Sequence, residues 1–201
     1  IEERIEKKDI HVFLGNPLLS VCNSEGTTNS FAMALGGRYY NSELAIDISE
    51  MYDIVIGNPP WEKIRFEEKK FLAHYMDIAL IDSKKNREKA VNNALEINQK
   101  FYKSILVDYE TAKEDIKKQE AFIDTRVGEL NTYALFTEYA LKHISEKGIV
   151  GLIVKSSLLK MSVYSRFMKH SMISKTIYEV YMFVNRKKIF NIDSREEFSV
   201  I

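Results

Sequence analysis

Asp53-Ile54-Val55-Ile56-Gly57-Asn58-Pro59-Pro60-Trp61 is the stretch that decides how this chain is read. Residues 52–56 form a short apolar run of strand length, and unbroken rather than alternating apolarity predicts a strand buried on both faces. Proline cannot donate to a ladder and pushes the residue before it out of the helical region, so Pro59 and Pro60 end the strand and restrict Asn58. The sequence therefore predicts a loop at the carboxyl end of a strand, carrying an amide, two stiffened carbonyls and an indole in four consecutive positions.

Upstream, His11-Val12-Phe13-Leu14 closed by Gly15-Asn16-Pro17 reads as another buried strand ending in a turn, and residues 22–42 read as a loop of small and polar residues. Downstream, residues 67–123 hold neither proline nor glycine and place Val91, Ala94, Phe101, Ile105, Tyr109, Ala112, Ile116 and Ile123 on a seam of mostly three- and four-residue steps. That spacing predicts a helical excursion, either an antiparallel hairpin or one long helix. Residues 131–145 predict an amphipathic helix ended by Lys147-Gly148, followed by a strand over 149–154, a helix over 163–172, and strands over 176–184 and 198–201. Strands alternating with helices predict an α/β sheet covered on both faces. We divide the chain into a core segment 1–66, a helical insertion 67–127 and a second core segment 128–201.

The chain has 201 residues, 45% of them hydrophobic, with 29 Lys plus Arg against 29 Asp plus Glu. It is long enough to bury a core as one domain, and with no net field any nucleic-acid contact must come from local patches. The lone Cys22 excludes an internal disulfide and a cysteine-based zinc site, and His11, His74, His143 and His170 are scattered, so no metal is expected. Apolar runs are far shorter than a bilayer span and residues 1–9 are charged, which predicts a soluble, cytoplasmic protein without membrane partners. A start at Ile1 and an end within Phe198-Ser199-Val200-Ile201 lead us to expect a fragment of a longer protein.

The chemistry of the loop follows from its residues. An exocyclic amino group on a planar base has two N–H donors, and the Asn58 side-chain oxygen with the Pro59 carbonyl could accept both. Trp61 offers a flat face for an extruded base, a contact worth about 1–3 kcal/mol, and a target inside a duplex has to be flipped out to be reached. Such a transfer is mostly positioning. The plain alternative is an ordinary strand-ending turn with a core tryptophan.

Residues 53–61 resemble motif IV of the amino-group DNA methyltransferases, written Asn-Pro-Pro followed by Tyr, Phe or Trp. Thr132-Tyr133-Ala134-Leu135-Phe136 with residues 148–157 is similar to that family's next helix and strand, although Lys155 stands where the family often has proline. Residues 185–194, with Lys187-Lys188-Ile189-Phe190, resemble a later motif whose phenylalanine packs on the flipped adenine, and residues 11–19 are similar to the strand and turn before motif IV in large restriction-modification and phage-defence methylases. The order is that of the gamma class.

The resemblance implies a partial Rossmann-like class I AdoMet-dependent methyltransferase sheet carrying a long helical insertion, acting on adenine N6 in double-stranded DNA. It implies that Asn58 and Pro59 orient the amine, Pro60 stiffens the loop, and Trp61 and Phe190 hold the base. Lys84-Lys85-Asn86-Arg87 and Arg186-Lys187-Lys188 are local basic clusters of a kind that touches phosphates, and Lys187 and Lys188 are taken as substrate contacts because they adjoin Phe190. Asn16 and Pro17 would lie beside the adenine of S-adenosyl-L-methionine. A glycine-rich turn and a ribose-binding acidic residue are both missing, so the chain is expected to begin after them and to be inactive alone. Two further readings stay open: a methyltransferase for RNA guanine or protein glutamine, and a helical module that self-associates or binds a partner through the seam.

Overall fold

A computed structural model of the protein describes residues 51–68, 81–93 and 96–201. Strand β1 (Tyr52–Gly57) is followed by helices α1 (Lys84–Asn93) and α2 (Glu96–Lys118), a 3-10 turn (Glu120–Phe122) and helix α3 (Thr132–Lys142). The chain then forms β2 (Ile144–Lys155), a short helix α4 (Ser157–Lys160), helix α5 (Ser165–Ile173) and strands β3 (Tyr181–Val184) and β4 (Glu197–Val200). The result is a mixed α/β fold with one open four-stranded sheet in the order β1-β2-β4-β3. β1 runs parallel to β2, while β4 is antiparallel to both of its neighbours.

Strand register sorts the apolar side chains. Ile54 pairs with Ile149 and Val55 with Val150, so Val55, Val150, Leu152 and Val154 share one face and Ile54, Ile56 and Ile149 the other. The first face packs against Tyr133, Ala134 and Ala140 of α3, Leu158 of α4 and Phe167 of α5. On the second, Ile54, Ile56 and Ile149 are 65%, 81% and 68% exposed, so among the described residues helices cover one face only. The apolar run of residues 54–56 in β1 nevertheless predicts cover on both.

Helix α3 joins two cores. Tyr133 and Ala134 face the sheet, while Leu135 packs with Ile64, Ala112, Ile116, Phe122 and Leu130, which brings the helical excursion down onto the sheet layer. A buried polar knot fastens the same junction: Glu138, 2% exposed, accepts the backbone N–H groups of Asp124 and Thr125, the Thr125 hydroxyl and the Lys142 ammonium. Asp124 in turn pairs with Arg166 Nε and His170 Nδ1, each at 2.7 Å, tying α5 to the same loop.

Several boundaries differ from those expected. The helix expected over 131–145 stops at Lys142, and Gly148 lies inside β2 rather than ending a helix. Between the pairs Tyr52↔Ile144 and Ile54↔Ile149, β2 advances farther than β1, and the extra residues are accommodated where Gly148 passes β1. A Cβ there would stand 2.9 Å from the Asp53 carbonyl and 2.6 Å from the Ile144 side chain, so close approach, not helix capping, is what calls for glycine. The strand expected over 176–184 is reduced to Tyr181–Val184, the part that finds a partner in β4.

The excursion is helical in its described parts, α1 and α2, but its seam is not uniformly buried: Val91, Ala112 and Ile116 are, whereas Phe101 is 46% exposed. Ala94 of that seam, with residues 11–14, 22–42, Cys22 and His74, lies outside the described residues. No helix among the described residues is long and apolar enough to cross a membrane.

Candidate functional site

The carboxyl ends of the parallel pair β1 and β2 open toward one edge of the molecule, where ligands gather in open α/β sheets. There the chain leaves β1 through Asn58, exposed, and Pro59, buried. Neither the Asn58 side-chain amide nor the Pro59 carbonyl is engaged by a described residue.

The rest of the loop is pinned from two sides. The Trp61 indole N–H donates to the Ile153 carbonyl of β2 at 3.2 Å. From α3, the Thr132 hydroxyl reaches the Pro60 carbonyl at 2.6 Å and the Glu62 carbonyl at 3.0 Å, and accepts the Glu62 N–H at 3.1 Å. The backbone continues this clasp through Thr132 N–H to Glu62 O at 2.9 Å and Ile64 N–H to Leu130 O at 2.8 Å.

Trp61 is partly buried. Its ring meets Phe190 edge to face with centroids 5.2 Å apart and lies obliquely over Phe198 at 6.2 Å. A planar base between two rings needs two stacking separations, roughly 7 Å. Phe190 therefore does not face Trp61 across a base-wide slot, as a second wall opposite would; the two rings form one continuous aromatic wall.

That wall is built from afar. Asn185, fully buried, donates from Nδ2 to the Phe190 carbonyl at 3.0 Å, to Ile192 at 3.4 Å and to Asp193 at 3.3 Å, and its Oδ1 accepts the Phe190 N–H at 3.1 Å. One side chain thus shapes the turn that carries Arg186, Lys187 and Lys188. All three cations are exposed, none makes an ion pair with a described residue, and Lys188 adopts the left-handed conformation at φ 50°.

Beside Trp61 lies a cavity of about 710 Å³, within the range of ligand pockets. Trp61, Asn131, Tyr133 and Ser157 contribute to its lining, the last two joined hydroxyl to hydroxyl at 2.8 Å. Charged side chains on its rim are matched in pairs: Lys63 with Glu129 at 2.6 Å, Lys155 with Glu196 at 3.0 Å, Arg195 with Asp193 at 2.8 Å, and Lys160 with Glu197. Arg195 holds the Asp193 carboxyl well below the usual carboxylate range, chiefly through their hydrogen bonds. Behind the lining, burial pushes the Tyr164 phenol up, with Tyr133 adding to the rise, while the Asn131 amide donates to its oxygen at 2.8 Å. Asn58 and Phe190 do not line this cavity.

The fold thus brings Asn58, Pro59, Pro60, Trp61 and Phe190 into one neighbourhood, with Lys187 and Lys188 on the turn that ends at Phe190. Asn16 and Pro17 lie outside the described residues. Sequence alone singles out neither Thr132 nor Asn185. Asn131-Thr132 reads there as a helix start, and only the pairing of residues far apart in the chain reveals the clasp. Among the described residues no group of three or more His, Cys, Asp or Glu side chains could hold a metal ion.

An open α/β sheet with a proline-stiffened, amide-bearing loop at the carboxyl ends of its parallel strands belongs to the class that builds active sites from the loops at that edge. Residues 28–190 match the Eco57I restriction-modification methylase family, and with most of the chain included, this protein belongs to that family and is a methyltransferase of a modification system. Neither the curated proteins nor the solved structures give a match to the chain.

Proposed function

We propose that this chain forms the target-base half of a methyltransferase that transfers a methyl group from S-adenosyl-L-methionine to the N6 amino group of an adenine flipped out of double-stranded DNA, within a restriction-modification or phage-defence system. The observation that carries the reading is the pair of acceptors that no described residue engages, the Asn58 amide oxygen and the Pro59 carbonyl, on a loop otherwise held fast. In this reading they accept the two N–H groups of the amine and aim its nitrogen at the methyl group. The base rests against the wall of Trp61 and Phe190, and Lys187 and Lys188 contact the phosphates flanking it.

The donor supplies an electrophilic methyl group. Of the described glycines, Gly57, Gly148 and Gly151 lie within strands and Gly128 in the connection to α3, so none forms the strand-to-helix turn that would cradle the donor. The Asn-Pro-Pro-Trp loop and its aromatic wall handle the acceptor.

The test is Asn58→Ala in the complete protein, with methyl-labelled S-adenosyl-L-methionine and unmodified genomic DNA. Transfer is expected to vanish while DNA binding stays close to wild type, because the amide directs the amine and contributes little to the grip on phosphates. Normal methylation by this variant defeats the assignment. Label incorporated into an RNA guanine or a glutamine peptide, and not into DNA, moves the substrate to another class.

A further inference from the structure

We propose that Thr132 is a positioning residue for the transfer: its hydroxyl, acting from the first turn of α3, sets the loop so that the Pro59 carbonyl and the Asn58 amide are the acceptor pair presented to the substrate amine. This rests on the reading above that residues 58 and 59 hold the amine.

A hydroxyl has one proton to give. At 2.6 Å the Pro60 carbonyl is the better placed of its two acceptors, the Glu62 carbonyl lying at 3.0 Å, and a lone pair remains to receive the Glu62 N–H at 3.1 Å. Two consequences follow. Of the two proline carbonyls after Asn58, that of Pro60 is turned to the Thr132 hydroxyl and that of Pro59 is engaged by no described residue, so the hydroxyl sets which carbonyl is left to meet a substrate. The segment after Pro59 is also clasped on both sides of the indole, by Thr132 at residues 60 and 62 and by the Ile153 carbonyl at residue 61. With its carboxyl side fixed in this way and its amino side fixed by β1, the Asn58-Pro59 unit has little freedom left.

The hydroxyl lies at an exposed site, where water can satisfy the carbonyl and N–H it would abandon. Thr132→Val keeps the shape and the backbone hydrogen bond of Thr132 and removes only the directed contact. Thr132→Ser keeps the hydroxyl. The test uses the complete protein, labelled donor and unmodified genomic DNA, with base analysis for N6-methyladenine and separate measurement of kcat, KM for DNA, DNA affinity and thermal midpoint.

Thr132→Val is expected to lower kcat about ten- to a hundredfold, the scale of a misplacement near 1 Å, with KM, DNA affinity and midpoint near wild type. Thr132→Ser is expected to restore most of kcat. A valine variant with wild-type kcat overturns the proposal, as does a serine variant as slow as the valine one. Unfolding of Thr132→Val also overturns it, because the hydroxyl would then serve the fold. If the wild-type protein forms no N6-methyladenine at all, the functional reading falls first and this proposal with it.

Discussion

Replacing Trp61 separates the anchoring seen in the structure from the base-stacking role proposed for the same side chain. As an anchor, the indole donates to Ile153 across the end of the sheet and packs on Phe190 and Phe198. Truncating a core aromatic to alanine costs about 3–5 kcal/mol. Trp61 is only partly buried, so we take about half of that, and the lost indole hydrogen bond adds about 1 kcal/mol. Trp61→Ala should therefore destabilise the fold by about 2.5–3.5 kcal/mol. Trp61→Phe keeps a ring in the aromatic cluster and loses the N–H, for a cost of about 1 kcal/mol.

As a wall for the base, the ring should be missed in a different measurement. Stacking on such a platform is worth about 1–3 kcal/mol, or one to two powers of ten at about 1.4 kcal/mol per tenfold. Urea unfolding followed by circular dichroism reads the anchor, and single-turnover transfer to DNA reads the wall. Trp61→Phe should recover most of the transfer and little of the hydrogen-bond energy. A Trp61→Ala protein within about 0.5 kcal/mol of wild type, the ordinary scatter of surface substitutions, would refute the anchor. Equal losses of transfer for Phe and Ala would refute the wall.

Two further outcomes are expected. Glu138→Ala leaves the N–H groups of Asp124 and Thr125 without their acceptor in a buried site, so unfolding free energy should fall by about 3 kcal/mol, and Lys142→Met, which removes the cationic partner of the same buried carboxylate but leaves its backbone donors, should cost about 1.5–3 kcal/mol in the same urea titration. The Tyr164 phenol, raised chiefly by burial, keeps its proton above the ordinary tyrosine value near 10. Its stabilising contribution is therefore complete below about pH 10 and is lost as pH rises through the folded value, so tyrosinate absorbance should show at least one phenol ionising only together with alkaline unfolding.

The parts of this molecule that can be read from sequence are those whose reason is local. Prolines 59 and 60 end a strand wherever they occur, and the gap-free run after residue 67 reads as helical because nothing in it breaks a helix. Gly148 shows where local reasoning turns: after an amphipathic segment glycine ordinarily caps a helix, yet here it lets β2 pass so close to β1 that a Cβ would stand 2.9 Å from the Asp53 carbonyl, a demand made by a strand far away in the chain. The length of β3 is overestimated for the same reason, since β-rich composition continues to Thr176 but ladder partners do not.

The candidate site divides along the same line. Asn58 and Trp61 are visible because proline fixes its own neighbours, and Phe190 because a short basic motif adjoins it. Whether Phe190 stands opposite Trp61 or beside it depends on Asn185, whose buried amide folds the turn back through four hydrogen bonds, and no periodicity reports such a contact. Thr132 is equally silent, since a threonine at the start of a helix has a sufficient local explanation. The residues that give the loop its geometry are thus those whose partners lie on other elements. A search for active-site residues confined to the Asn-Pro-Pro-Trp motif would name Asn58 and Trp61 and miss the Thr132 hydroxyl that clasps the loop from α3.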